Sequence, residues 1–234
     1  RRFFVMTTTT GTSMSKQTLD LLKNFASINS NILVKPGDTI KTISPVKNIM
    51  AVATVPETFD TEFGIWDLNK FLGTVSLFDS PSFEFGERSV TISGSGGSSV
   101  NYYYSEPRLL TVPTKDIVMP EPVVSFDLTQ DALNEINRAS SVMQLPDLVV
   151  RSEGTTIVMV ALDRQDDTTN SYSVELGELS VESDFEFVFR VDNLKLLPGD
   201  YRVDVTDKVV SQFTHTQLDL KYWIALESDS RYSA

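Results

Sequence analysis

The sequence predicts an α+β protein of two similar domains, each combining antiparallel sheet with two helices. Three observations predict it. Most of the chain reads as short strands of alternating apolar and polar residues. The few amphipathic helical stretches recur at matching places in the two halves. A proline-rich segment, with a change in charge across it, separates those halves.

Taken in order, the opening RRFFVMTTTTGTSMSK has two arginines and a short apolar run, which its Thr/Ser tract ends too early for a secretion signal. Residues 1–14 are expected to be a disordered leader, with Met6 and Met14 as candidate native starts. The stretch KQTLDLLKNFASIN (16–29) follows. With successive residues about 100° apart, Leu21, Leu22, Phe25 and Ile28 gather on one side. Lys16, Asp20, Lys23, Asn24 and Ser27 gather on the other.

Strand patterns come next in NILVKPGDTIKTI and MAVATV, then in SVTIS and VNYYYS after a helical stretch. VKPGDT carries hairpin-turn chemistry, and SGSGGSS (93–99) reads as a mobile hairpin loop. The stretch FGIWDLNKFLG (63–73) looks like a strand that stops at an Asp cap and turns into a short helix. Leu68, Phe71, Leu72 and Val75 would face inward there, with Lys70 opposite.

Four prolines (Pro107, Pro113, Pro120 and Pro122) within SEPRLLTVPTKDIVMPEPVVSF cannot sit in a helix or a central strand, so the segment is expected to be an extended connector. The expected division is an N-terminal domain at 15–108, a connector at 109–122 and a C-terminal domain at 123–234. The second half opens on LTQDALNEINRASSVM, with Thr129 as N-cap. Ala132, Leu133, Ile136, Ala139 and Met143 fall on one face; Asn134, Arg138 and Ser141 fall on the other. Further strands follow at DLVVRSEGTTIVMVALD, SYSVELGEL, FEFVFRV, YRVDVTD and LKYWIALE. FRVDNLKLLPG (189–199) repeats the order of FGIWDLNKFLG, which predicts a second short helix with Lys195 in the place of Lys70. Each half would then hold two helices, each with a cation on its polar side.

The net charge of −12 lies entirely in the second half, since the first is neutral. An acidic total argues against a plain nucleic-acid-binding surface. No run of 18 apolar residues is present, so no membrane-spanning helix is expected, and the absence of cysteine excludes disulfides and thiolate metal sites. The single histidine, His215, has no nucleophile motif beside it and is expected at the surface or in a turn. SGSGGSS lacks the Lys-Ser/Thr of a phosphate loop, and DRQDDTTN lacks calcium-loop spacing. No enzyme, metal or cofactor is expected.

Five stretches, MSKQTLDLLKNFASINS, IWDLNKFLG, INRASSVMQL, LKLLPGDY and YWIALESDS, resemble in order the sliding clamps of T-even-type tailed phages, which are DNA polymerase processivity factors. LKYWIALE is also similar to the C-terminal strand of proliferating cell nuclear antigen. The resemblance implies the DNA-clamp fold, assembled as a homotrimeric ring that encircles duplex DNA without sequence preference, in the cytoplasm of an infected bacterial host. DNA polymerase and a clamp-loader ATPase are the implied partners, with a late sigma factor and a transcription coactivator as further ones. Carried over, Lys16, Lys23, Lys70, Arg138 and Lys195 would face the DNA. The second domain's lining would be thinner, because Ser141 stands where relatives usually carry a second basic residue. A partner-peptide pocket between the domains would use Ile117, Val118, Trp223, Ala225 and Leu226. VNYYYSE and SYSVELGEL are the candidate subunit-joining edges. The rival reading is a phage structural β-protein, a tail or capsid module that encircles nothing.

Overall fold

The computed structural model describes residues 12–166, 168–207 and 210–233. The described residues group into two compact units, one of those up to Thr42 together with 54–112, the other of 43–53 together with those from Pro113 onward. The division therefore falls at Val112/Pro113, inside the expected connector, and the second unit also takes in residues 43–53 from the first half. Of the expected leader, residues 1–11 lie outside the described residues. Residues 12–14 are placed: Thr12 bridges to Phe83 and Met14 is buried.

The first unit begins with α1 (Lys16–Ile28), capped by the Ser15 side chain, which accepts from the Thr18 N–H at 3.1 Å. Its buried residues include Leu21, Leu22, Phe25 and Ile28, the face that the wheel selects. β1 (Ile32–Val34), β2 (Gly37–Ile43), β3 (Ile49–Phe59) and β4 (Phe63–Ile65) follow. β1 pairs antiparallel with β4, Ile32 opposite Ile65. α2 (Leu68–Val75) is capped by Asp67, whose carboxylate accepts from the Lys70 N–H at 2.9 Å; Leu68, Phe71 and Val75 are buried. β5 (Ser82–Phe85), β6 (Ser89–Ser93) and β7 (Ser99–Tyr103) form a three-stranded sheet with β7 at its edge. Phe59, Phe63 and Phe85 meet with ring centroids 4.8–5.7 Å apart, geometry that aromatic quadrupoles favour.

In the second unit β8 (Val124–Leu128) leads into α3 (Gln130–Met143), capped by Thr129. β9 (Asp147–Glu153), β10 (Thr156–Leu162), β11 (Tyr172–Glu178), β12 (Asp184–Arg190) and β16 (Arg231–Ser233) make a sheet of order β11-β10-β9-β12-β16. β13 (Tyr201–Val205), β14 (Val210–His215) and β15 (Leu220–Ala225) continue from β8, and residues 49–53 of β3 lie against β15. The duplication is visible in register. As β1 faces β4, so β9 faces β12, with Leu148 opposite Phe189.

The second unit departs from the expected pair of helices. Residues 191–193 form a single 3-10 turn and no helix follows, so the described residues hold three α-helices in all. Pro198 explains part of this. Its ring drives Leu197 toward extended backbone, so a helix started at Asp192 would have to end within about one and a half turns. That is too short to repay nucleation.

Candidate functional site

The candidate site is built from helix faces that packing leaves outward. On α1 the buried stripe turns Lys16, Lys23 and Ser27 to solvent. Lys16 is 88% exposed along its side chain and pairs with Asp20 one turn on, at 2.5 Å. Lys23 is exposed and enters no ion pair among the described residues. On α2, Lys70 is exposed opposite Leu68, Phe71 and Val75, again without an ion pair, and the helix carries no acid. In the second unit Arg138 is exposed at the centre of the outward face of α3, with Asp131 and Glu135 exposed on that same face. The Tyr172 hydroxyl donates to Glu135 Oε2 at 3.3 Å.

Lys195 is half-buried on an irregular loop instead of a helix, a correction to its expected setting. The loop is nevertheless held from three sides. The Leu197 N–H donates to the Tyr222 hydroxyl at 3.1 Å, and the Tyr201 hydroxyl donates to the Leu197 carbonyl. Burial pushes both phenols well above their usual pKa, so each stays a protonated hydroxyl. His215 is the third support. It is buried in β14, not at the surface or in a turn as expected, because its ring has polar backbone to satisfy. Its Nδ1 accepts from the Gln217 and Leu218 N–H groups at 3.1 Å, which places the proton on Nε2, 3.3 Å from the Pro198 carbonyl.

Sequence reasoning missed the groups that hold α1. Glu57 is 9% exposed and its carboxylate accepts from the Ser15 N–H and the Thr18 hydroxyl, at the positive end of the helix dipole. Burial pushes this carboxyl up, but the hydrogen bonds from Thr18 and Ser15 outweigh it and leave the pKa below its ordinary value. The available signal was the alternation in β3, where Glu57 sits in phase with buried Val55 and Phe59. At the other end of α1, Asn29 donates to the Thr111 carbonyl and Asn31 accepts the Thr111 N–H, both at 3.0 Å, so the helix end is fastened to the first stretch of the connector.

The residues expected around a peptide pocket divide. Val118 is 88% exposed, and Ile117 and Ala225 are half-buried. Trp223 and Leu226 are buried, and Trp223 Nε1 donates to Gln212 at 3.0 Å. Leu226 lines a cavity of about 20 Å³ with Phe187, Tyr232 and Arg231, room for little more than one water; the other four do not line it. The two candidate joining segments both fall on sheet edges. β7 ends one sheet with Tyr103 73% exposed, and β11 ends another with Tyr172 exposed. No helix among the described residues is long and apolar enough to cross a membrane, and no cluster of metal-ligating side chains occurs among them.

The family described as "gp45 sliding clamp, C terminal" matches residues 125–228. The sliding clamp of Vibrio phage KVP40 is 30% identical over 220 residues, covering 92% of this chain and 99% of the relative. The chain belongs to the sliding-clamp family. The sliding clamp of Escherichia phage RB69 is likewise 30% identical, over 94% of this chain and 98% of its own length. Among solved structures, proliferating cell nuclear antigen of A. fulgidus, bound to the C-terminal region of FEN-1, superposes with a TM-score of 0.70 at 12% identity, covering 94% and 98% of the two chains. The beta clamp of Helicobacter pylori, bound to a DNA ligase peptide, gives 0.70 at 13% identity, over 97% of this chain and 67% of that one. The fold is therefore the α+β clamp fold of two similar domains, and the family is that of the sliding clamps, DNA-replication processivity factors.

Proposed function

We infer that three copies of this chain close into a ring around duplex DNA and tether the replicative polymerase, so that topology and not affinity keeps the enzyme on its template. The observation that carries the reading is the placement of exposed cations on α1, α2 and α3 of an otherwise acidic chain. Duplex DNA presents a phosphate charge about every 1.7 Å of axis. A few lysines and arginines meet such a surface without base-edge recognition, which suits contact that slides. Lys16, Lys23, Lys70, Arg138 and Lys195 are the proposed lining. The role is a non-enzymatic one, performed by shape and charge.

The ring requires two unlike edges that join head to tail. β7 and β11 are the proposed pair, each ending its own sheet with an exposed tyrosine. Partner peptides, from the polymerase, a clamp-loader ATPase, a late sigma factor or a transcription coactivator, would dock on Val118, Ile117 and Ala225. Buried Trp223 and Leu226 would act as support beneath them. The relatives bound to a FEN-1 segment and to a DNA ligase peptide favour docking of this kind. The place of action would be the cytoplasm of the infected host. No observation favours the structural-module alternative.

Solution scattering of the purified chain tests the reading. A three-subunit ring with a central void is expected at micromolar concentration, together with longer polymerase products on circular primed template. A monomer or an open filament, or a polymerase that does not respond, would refute it.

A further inference from the structure

The cations of the proposed lining are not equally available. On α1 and α2 the outward charges are Lys16, half-buried Asp20, Lys23 and Lys70. Asp20 and the cap Asp67 lie at i−3 from Lys23 and Lys70, but Asp20 is bound by Lys16 and Asp67 accepts the Lys70 N–H. Lys23 and Lys70 therefore enter no ion pair among the described residues, and cations outnumber acids on these faces. On α3 a single cation shares its face with two acids. Glu135 lies one turn before Arg138 at i−3, the spacing at which helix side chains are neighbours, and Asp131 lies two turns before it on nearly the same bearing. Val142, 76% exposed, occupies the next turn at i+4, where another polar or basic group would have extended the positive face.

Resting on the clamp reading, we propose that contact with duplex DNA is polarised: Lys23 and Lys70 carry it, and the Asp131/Glu135 carboxylates make α3 a repelling wall that limits how tightly the ring can hold. The physical basis is short-range. A carboxylate within a helical turn of Arg138 offsets much of its field at the phosphates, since charges closer than about 8 Å interact before salt screens them. Neither acid has a burial role that explains it. Both are exposed, and the contact from Tyr172 to Glu135 survives replacement by glutamine, which keeps an acceptor oxygen. Asp131 also sits in the first turn of α3, where negative charge favours the helix dipole, so thermal stability is measured alongside binding.

The test uses the full chain on a column of immobilised linear duplex DNA, eluted by a salt gradient. Asp131→Asn/Glu135→Gln is expected to elute at higher salt than the wild type. Lys23→Glu/Lys70→Glu should elute earlier, with a slope of log affinity against log salt smaller by about 2. Asp60→Asn/Glu62→Gln adds the same charge on exposed residues of the turn between β3 and β4, outside the proposed lining, and should elute with the wild type. Co-elution of Asp131→Asn/Glu135→Gln with the wild type, or an equal gain from Asp60→Asn/Glu62→Gln, overturns the polarised contact. A separate arm asks whether the wild type, loaded by a phage clamp loader with ATP, stays on a nicked circle and leaves when the circle is cut. If it does not, the clamp reading itself falls and takes this inference with it. If it does, the column result judges the polarised contact alone.

Discussion

Gly73 and Gly199 close the same echoed run of Phe, Asp, Lys, Leu and Gly, yet one lies inside a helix and the other ends a pinned loop. A Cβ added at Gly73 would meet nothing within 4 Å. At Gly199, φ is +151° and the same atom would lie 2.0 Å from Nε2 of the buried His215 ring. A duplicated sequence has thus been given two different solutions. In the first unit the segment satisfies its backbone by winding into α2. In the second, Tyr222, Tyr201 and His215 supply the partners from neighbouring strands, and the loop never needs a helix.

The largest effect should come from the matched pair of glycine substitutions, because it sets the two solutions against each other. Gly199→Ala puts a Cβ into the hydrogen-bonded His215 ring, at a φ that side chains rarely adopt, and is expected to destabilise by about 3 kcal/mol, with loss of the His215 contacts. Gly73→Ala removes a poor helix former from an exposed helix interior and is expected to stabilise by about 0.5–1 kcal/mol. Urea unfolding of both variants checks the contrast. Equal and small effects would mean that the Lys195 loop is as yielding as a surface turn.

Much of this was legible beforehand, and the failures are specific. The buried stripe of α1, most of those of α2 and α3, the Asp67 and Thr129 caps and most strands follow from periodicity and cap chemistry, which are local. Leu72, Ala139 and Met143 are only half-buried, and Ser140 is buried in α3 where no apolar residue marks it. The second short helix is the exception: its residue order matches FGIWDLNKFLG, but Pro198 acts, also locally, against helical backbone at Leu197. His215 and Glu57 are different. Their roles depend on which backbone N–H groups the fold brings to them from 2 to 42 residues away, and composition carries no trace of that. For the lining, the sequence supplied the cations on each face. The same helical wheel puts Asp131 and Glu135 on the outward face with Arg138, so the acids of α3 are legible from local spacing too.

A second comparison concerns how each unit anchors the N-terminus of its first helix. Both use a carboxylate from a distant strand or loop. For α1 it is buried Glu57; for α3 it is exposed Asp200, which accepts from the Gln130 N–H at 2.7 Å. Glu57→Gln replaces an acceptor oxygen by a donor facing the Ser15 N–H or the Thr18 hydroxyl, and is expected to cost about 2 kcal/mol. Asp200→Asn, in water, should cost about 0.5–1 kcal/mol. The sign with pH follows from the lowered pKa of Glu57. Its contribution is fully present above the ordinary value of 4.5 and is lost as pH falls through the lower folded value. Stability of the wild type against that of Glu57→Gln between neutral and acid pH should therefore converge. A difference that persists unchanged below the folded value would assign the effect to packing instead of charge.

The smallest expected effect decides what keeps the second unit from forming its helix. Two causes coincide at Leu197: the following proline disfavours helical backbone, and the Tyr222 and Tyr201 hydroxyls already occupy the Leu197 N–H and carbonyl. Pro198→Ala removes only the first. If the tyrosines suffice, the variant loses under about 1 kcal/mol, from greater freedom of the unfolded chain, and gains no helical circular dichroism. If the proline is the sole barrier, residues 192–197 should wind as α2 does and the helical signal should rise. The first outcome is expected, because a single turn gained would exchange two bonds from buried, protonated phenols for intrahelical ones of no greater strength. Gly199 would still have to meet His215 at the same place.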